Sequence, residues 1–138
     1  MQVSKTLDYA IRSLTYMGNN PGRRCGMKEI SEHQHIPDKY LAKVMGRLVK
    51  SGIVVSGRGP SGGYMLAREP SMLNLRNVYE AIEGDIHIID CMDDDGPCAL
   101  YENCTQLAVW DKLQVAMIKT LEKITLASLT AKGARNDH

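Results

Sequence analysis

Between positions 57 and 63 the chain reads Gly57-Arg58-Gly59-Pro60-Ser61-Gly62-Gly63, and strand-like runs stand on either side of it, Ile53-Val54-Val55-Ser56 before and Tyr64-Met65-Leu66-Ala67 after. A regular strand cannot pass through such a segment, because proline lacks the amide proton and repeated glycine weakens an extended ladder. The chain must therefore turn back on itself. The pattern predicts a β-hairpin that carries Arg58 on a narrow, glycine-rich tip.

What precedes the hairpin has helical periodicity. Val3, Leu7, Ala10, Ile11, Leu14 and Met17 fall at spacings of three and four, one face of an amphipathic helix, and Gly18-Asn19-Asn20-Pro21-Gly22 stops it. A short helix is expected over residues 27–35. Ile36-Pro37-Asp38 then reads as a turn that starts a third helix, running to about residue 50. In that third helix Leu41, Val44, Met45, Leu48 and Val49 would pack inward, while Lys39, Lys43, Arg47 and Lys50 make a basic stripe on another face. Three short helices followed by a hairpin describe a winged helix-turn-helix, a mainly α fold with a small β-hairpin wing. Lysine and arginine on the third helix suit the major groove of duplex DNA, and Arg58 on the tip suits the minor groove or its flanking phosphates. For the stripe taken alone, a solvated charged helix is the alternative; the wing pattern directly after it weighs against that reading.

The net charge of +1 hides an asymmetry that agrees with this placement. Residues 1–76 hold twelve Lys/Arg against five Asp/Glu, and residues 77–138 hold five against eleven. A basic half points to a polyanionic partner. No apolar run approaches the ~20 residues that span a bilayer, and the first residues lack the charged and apolar regions of a signal peptide, so the expected compartment is the cytoplasm, without membrane attachment. No nucleophile, base and acid stand out together, and an enzyme is not expected.

Beyond the hairpin, a helix is expected over residues 75–82, ended by Gly84. Residues 85–103 have poor periodicity. A long helix then runs to about residue 124, with Leu107, Trp110, Leu113, Met117, Leu121 and Ile124 as its apolar stripe. On an arm outside a small winged domain such a stripe has little of its own chain to pack on, so a second copy is its expected cover, giving a homodimer. The chain thus divides into a winged-helix DNA-binding domain (1–84), a cysteine-bearing loop (85–104) and a dimerisation helix with a tail (105–138).

Three of the four cysteines, Cys91, Cys98 and Cys104, lie in that loop, separated by six and five residues. In a reducing compartment this favours metal or redox chemistry over disulfides. Thiolates bind iron-sulfur clusters, and a loop of this length can wrap ligands around several atoms. Structural zinc more often uses pairs two to four residues apart, and no such pair is present. Zinc and inert buried thiols stand as the alternatives. Cys25, far off in sequence, is not excluded as a further ligand.

The chain resembles the Rrf-type family of winged-helix regulators, with its IscR, NsrR and RirA branches. The matching residues are Leu7-Asp8-Tyr9-Ala10 and Arg12, Tyr40-Leu41, Arg47-Leu48, Ser51-Gly52-Ile53-Val54, the wing Arg58-Gly59-Pro60-Ser61-Gly62-Gly63-Tyr64, the three cysteines, and Ala108-Val109-Trp110. The resemblance implies a transcription regulator that binds a pseudo-palindromic promoter site as a homodimer. IscR-like proteins carry a histidine three residues after the last cysteine, as fourth ligand of a [2Fe-2S] cluster; here that position is Leu107. The resemblance to NsrR-like nitric-oxide sensors implies instead a [4Fe-4S] cluster held by Cys91, Cys98, Cys104 and Asp8 of the partner subunit. Lys43-Val44 also looks NsrR-like. Without the resemblance, Asp8 is an ordinary acid in the first turn of a helix.

The expected function is therefore a repressor-type regulator sensing nitric oxide or redox state. An iron or iron-sulfur status sensor of RirA or IscR type is the alternative, and [2Fe-2S] the alternative cluster. A cluster-free thiol or zinc regulator and an electron or cluster carrier stand further off. Lys39, Tyr40, Lys43 and Arg47 are expected in the major groove, with Arg58 and the backbone of Ser61, Gly62 and Gly63 at the wing.

Overall fold

Ser4 begins the first helix, its hydroxyl accepting the Leu7 amide at 3.0 Å, so an orphan donor of the opening turn is satisfied. The computed structural model describes residues 3–57, 62–88, 92–93, 96–97, 99 and 103–131. In it α1 (Lys5–Gly18) buries Leu7, Ala10, Leu14 and Met17, most of the predicted stripe. Ile11 is only partly buried and Val3 is exposed. A hydroxyl also faces the core, but Ser13 bonds back to the Tyr9 carbonyl at 2.8 Å and costs little there.

The next two helices are short and closely joined. α2 (Met27–Gln34) ends where His35 takes a left-handed conformation, φ 54°, and α3 (Asp38–Lys50) starts directly after Pro37. Leu41, Val44, Met45 and Leu48 of α3 are buried; Val49 is partly so. The expected hairpin follows as β1 (Val54–Gly57) and β2 (Gly63–Leu66), antiparallel, with Val54 opposite Leu66 and Gly57 opposite Gly63. A feature with no counterpart in the sequence pattern widens this sheet. Cys25 exchanges both backbone hydrogen bonds with Tyr64, at 2.7 and 2.8 Å, and so covers the outer edge of β2.

After a 3-10 turn at Pro70–Met72, α4 (Leu75–Glu83) is capped reciprocally: Asn74 Oδ1 accepts the Asn77 amide at 2.9 Å and Asn77 Oδ1 accepts the Asn74 amide at 3.1 Å. Gly84, at φ 84°, ends it in the left-handed region that glycine enters without penalty. The loop beyond contains a two-residue pairing, β3 (Met92–Asp93) with β4 (Gly96–Pro97). Then comes α5 (Leu107–Lys123), in which no residue is fully buried.

The chain returns after α5. Leu126 donates to the Leu73 carbonyl at 2.7 Å, Leu75 donates to that of Ile124 at 2.9 Å, and a final 3-10 turn, Leu126–Leu129, buries Leu126. That side chain joins the core formed by Leu14, Ile30, Leu41, Leu48, Ile53 and Leu73, so the stretch after α5 packs on the winged-helix unit. The return is tight: a β-carbon on Gly18 would lie 2.9 Å from the Thr130 methyl. No helix among the described residues is long and apolar enough to cross a membrane.

Candidate functional site

The buried face of α3 dictates what its other face shows. With Leu41, Val44, Met45 and Leu48 inward, Lys39, Lys43 and Lys50 are left exposed, and Tyr40 is 42% exposed. Tyr40 is held from beneath. Its ring centroid lies 5.9 Å from that of Tyr9, and the Lys39 ammonium stands 5.2 Å from its centroid, within cation-π reach. Lys39 and Tyr40 thus form one patch at the start of the helix, with Lys43 a turn further on. Arg47 has a different surrounding. It is partly buried, and its Nη1 donates to the Ile82 carbonyl in the last turn of α4 at 2.7 Å. Helix-end carbonyls lack partners within their own helix, and a guanidinium is suited to satisfy them.

At the wing, Arg58 and Ser61 lie outside the described residues, while Gly62 and Gly63 are within them. Gly63 has a specific reason to be glycine. It sits at φ 124°, and a β-carbon there would approach the Cys25 carbonyl oxygen to 2.8 Å. The edge contributed by Cys25 therefore depends on a missing side chain in the wing.

The link leading to that edge is held by charge. Arg23 donates to both Glu29 oxygens, at 2.6 and 3.2 Å, and the Tyr16 hydroxyl donates to Glu29 Oε2 at 2.5 Å. These donors stabilise the ionised carboxylate, Arg23 most of all, and hold its pKa down at about 2. Burial pushes the Cys25 thiol up, away from thiolate character.

Of the four proposed cluster ligands, Cys91 and Cys98 lie outside the described residues. Cys104 is a free, partly exposed thiol three residues ahead of α5. Asp8 is partly exposed on α1, and Arg12 engages both of its oxygens, Nε to Oδ1 at 3.1 Å and Nη2 to Oδ2 at 2.7 Å. Among the described residues no three His, Cys, Asp or Glu side chains gather as a metal site. At the described positions, Cys104 offers donor chemistry suited to an iron-sulfur cluster, a partly exposed sulfur outside any disulfide, while both oxygens of the Asp8 carboxylate are occupied by Arg12. The loop is tied down close by. Ile88 donates its amide to Gln114 Oε1 of α5 at 3.2 Å, and Met92 stands opposite Pro97 in the β3–β4 pair.

A short helix pair, an exposed basic and aromatic face on the second of them, and an adjacent hairpin define a winged helix-turn-helix DNA-binding protein. The chain belongs to the Rrf2 family, described as iron-dependent transcriptional regulators, which it matches over residues 3–132. It is 34% identical over 131 residues to the HTH-type transcriptional regulator NsrR of Oceanobacillus iheyensis, covering 94% of this chain and 89% of that protein. To the HTH-type transcriptional regulator IscR of Sodalis glossinidius it is 33% identical, covering 94% and 73% of the two chains. Among solved structures, T. potens IscR superposes with a TM-score of 0.76 at 26% identity, covering 99% of this chain and 88% of that one. CymR, the global cysteine regulator of B. subtilis, shares the fold with a TM-score of 0.79 at 22% identity, covering 96% and 98%.

Proposed function

We propose that this regulator senses nitric oxide through a [4Fe-4S] cluster and couples the state of its cysteine loop to DNA binding by α3 and the wing. The carrying observation is the Arg47–Ile82 hydrogen bond, which joins the candidate recognition helix to the end of α4, two residues before Gly84 and the loop. Lys39, Tyr40 and Lys43 meet the major groove, and Arg58 with the backbone of Ser61, Gly62 and Gly63 meets the minor groove or its phosphates. Arg47 acts in this reading as the link between the two helices. The DNA site is pseudo-palindromic because the protein is a homodimer through α5.

Cys91, Cys98 and Cys104 would hold the cluster, with Asp8 of the partner subunit as fourth ligand. What supports the cysteine set is the Met92–Pro97 pairing, since each partner is covalently next to one of the proposed ligands, Cys91 or Cys98. Bound there, the cluster supplies iron atoms that react with nitric oxide. Asp8 must leave Arg12 to serve as a ligand, and a carboxylate with such an alternative partner is readily replaced. Arg12 in turn donates to the Gln34 carbonyl at 3.3 Å, so its release from Asp8 is felt at the end of α2, beside α3. Leu107 opens α5 where IscR-like proteins have a ligating histidine, which favours the aspartate-ligated arrangement over a [2Fe-2S] site. On this reading the chain comprises a winged-helix unit (1–84), a sensing loop (85–104) and a dimerisation arm (105–138), and it works in the cytoplasm without enzymatic activity.

The test is anaerobic. Protein purified without oxygen should contain iron and sulfide in equal amounts with a visible charge-transfer band, and Cys104→Ser should lose both. Titration with nitric oxide should then lower affinity for promoter DNA. Absence of iron would overturn the cluster, and a nitric-oxide-insensitive DNA affinity in iron-loaded protein would overturn the sensing role while leaving the RirA-like or IscR-like alternative.

A further inference from the structure

Arg23 and Arg24 are adjacent in sequence but have opposite surroundings. Arg23 is bound to Glu29, whereas Arg24 is exposed and takes part in no ion pair among the described residues. Its side chain has a defined course all the same. From the edge formed by Cys25 it runs over Gly63, where an added β-carbon would lie 3.4 Å from Arg24 Cβ, and reaches Gly57 on the far strand. There the guanidinium occupies the place of a side chain: a β-carbon on Gly57 would collide with Arg24 Nη1 and lie 2.7 Å from Arg24 Cζ. Gly57 and Gly63 are the directly opposed pair at the tip end of the two strands. Both positions lack the atoms that would push the arginine away, and the next residue along the chain is Arg58.

We propose that Arg24 is a DNA-phosphate contact at the tip end of the paired strands, a cation lying across the Gly57–Gly63 pair, with Arg58 the next residue in sequence after Gly57. This inference rests on the DNA-binding reading of the wing. An exposed guanidinium without an acidic partner retains a fork of N–H donors suited to phosphate oxygens. Packing against two glycines restricts the side chain before binding, so less conformational freedom is lost on contact. Arg23, by contrast, has its charge answered by Glu29 and serves to hold the link in place. The pair divides the labour: one arginine fixes the edge strand, and the other uses that fixed edge as its base.

A phosphate contact is independent of sequence, so no operator is needed for the test. The probe is a labelled random-sequence DNA duplex, bound to the full-length dimer across a salt series by fluorescence anisotropy. Arg24→Gln should weaken binding about tenfold and lower the slope of log affinity against log salt by about 0.9, the counterion share of one phosphate. Its thermal midpoint should stay at the wild-type value, and Arg24→Lys should keep the slope. An unchanged slope in Arg24→Gln overturns the proposal. So does a lowered slope that arrives with a lowered thermal midpoint and is not restored by lysine, since that marks a brace for the wing. If the wild-type chain shows no salt-dependent binding to the duplex, the DNA-binding reading itself falls, a result distinct from failure at Arg24 alone.

Discussion

Glu29 receives hydrogen bonds from Arg23, Tyr16 and the Gly26 amide at once, and each favours its ionised form. The folded-state pKa, about 2, lies below the ordinary 4.5. A depressed carboxylate contributes stability that is fully present above its unfolded pKa and is lost as pH falls through the folded value. Acid unfolding followed by circular dichroism should therefore show a component between about pH 4.5 and pH 2 that is missing in Glu29→Gln; parallel curves for the two proteins would count against it. Arg47 carries a second prediction at this scale. Because its guanidinium satisfies the Ile82 carbonyl, Arg47→Ala should reduce stability in chemical denaturation by roughly 1.5–3 kcal/mol, the range for a hydrogen bond to a charged group. The salt slope of DNA binding should change less than in a variant of Lys39 or Lys43, and a larger change would return Arg47 to the DNA face. The sequence alone could not separate these cases. Lys39, Lys43, Arg47 and Lys50 share one helical arc, and which of them meets solvent depends on where α4 lies.

Elements were easier to anticipate than residues, for a physical reason. Helical spacing and glycine-rich turns are written within a few consecutive positions, so the five helices and the wing could be outlined from local pattern, with ends off by one or two residues. The start of the first helix shows the limit: Val3 continues the apolar spacing, yet Ser4 caps the helix after it and leaves Val3 exposed. The Cys25–Tyr64 bridge left no such trace, since a single paired residue has no period. The reciprocal Asn74–Asn77 cap had a readable signal, a helix-start residue three positions before another amide. Asn74→Ala should cost about 1 kcal/mol in thermal unfolding, in line with loss of an N-cap. On the proposed reading it should leave DNA affinity unaltered, as α4 packs on α3 and supplies none of the proposed DNA contacts; an affinity loss at unchanged stability would argue that α4 touches the nucleic acid.

For the whole molecule, the exposed apolar surface of α5 is the outstanding feature. Val109, Leu113 and Val115 are 59%, 48% and 49% exposed, and no residue of the helix is fully buried within one chain. Apolar area of this kind calls for cover, and the homodimer proposed above would bury it against a second copy. Leu113→Glu should convert a dimer to a monomer in sedimentation and weaken DNA binding with it, while a mass equal to wild type would move the interface elsewhere. The core of one chain is also less sequential than its pattern implies, because Leu126 closes a core begun by Leu14. Local spacing by itself determined the helices, the wing, the basic first half and the cysteine loop, because each depends on neighbouring residues and their intrinsic geometry. Only the tertiary structure decided that Arg47 faces α4, that Arg24 lies across the wing and that the end of the chain returns to the core. Those outcomes depend on contacts between residues far apart in sequence, which no local period records.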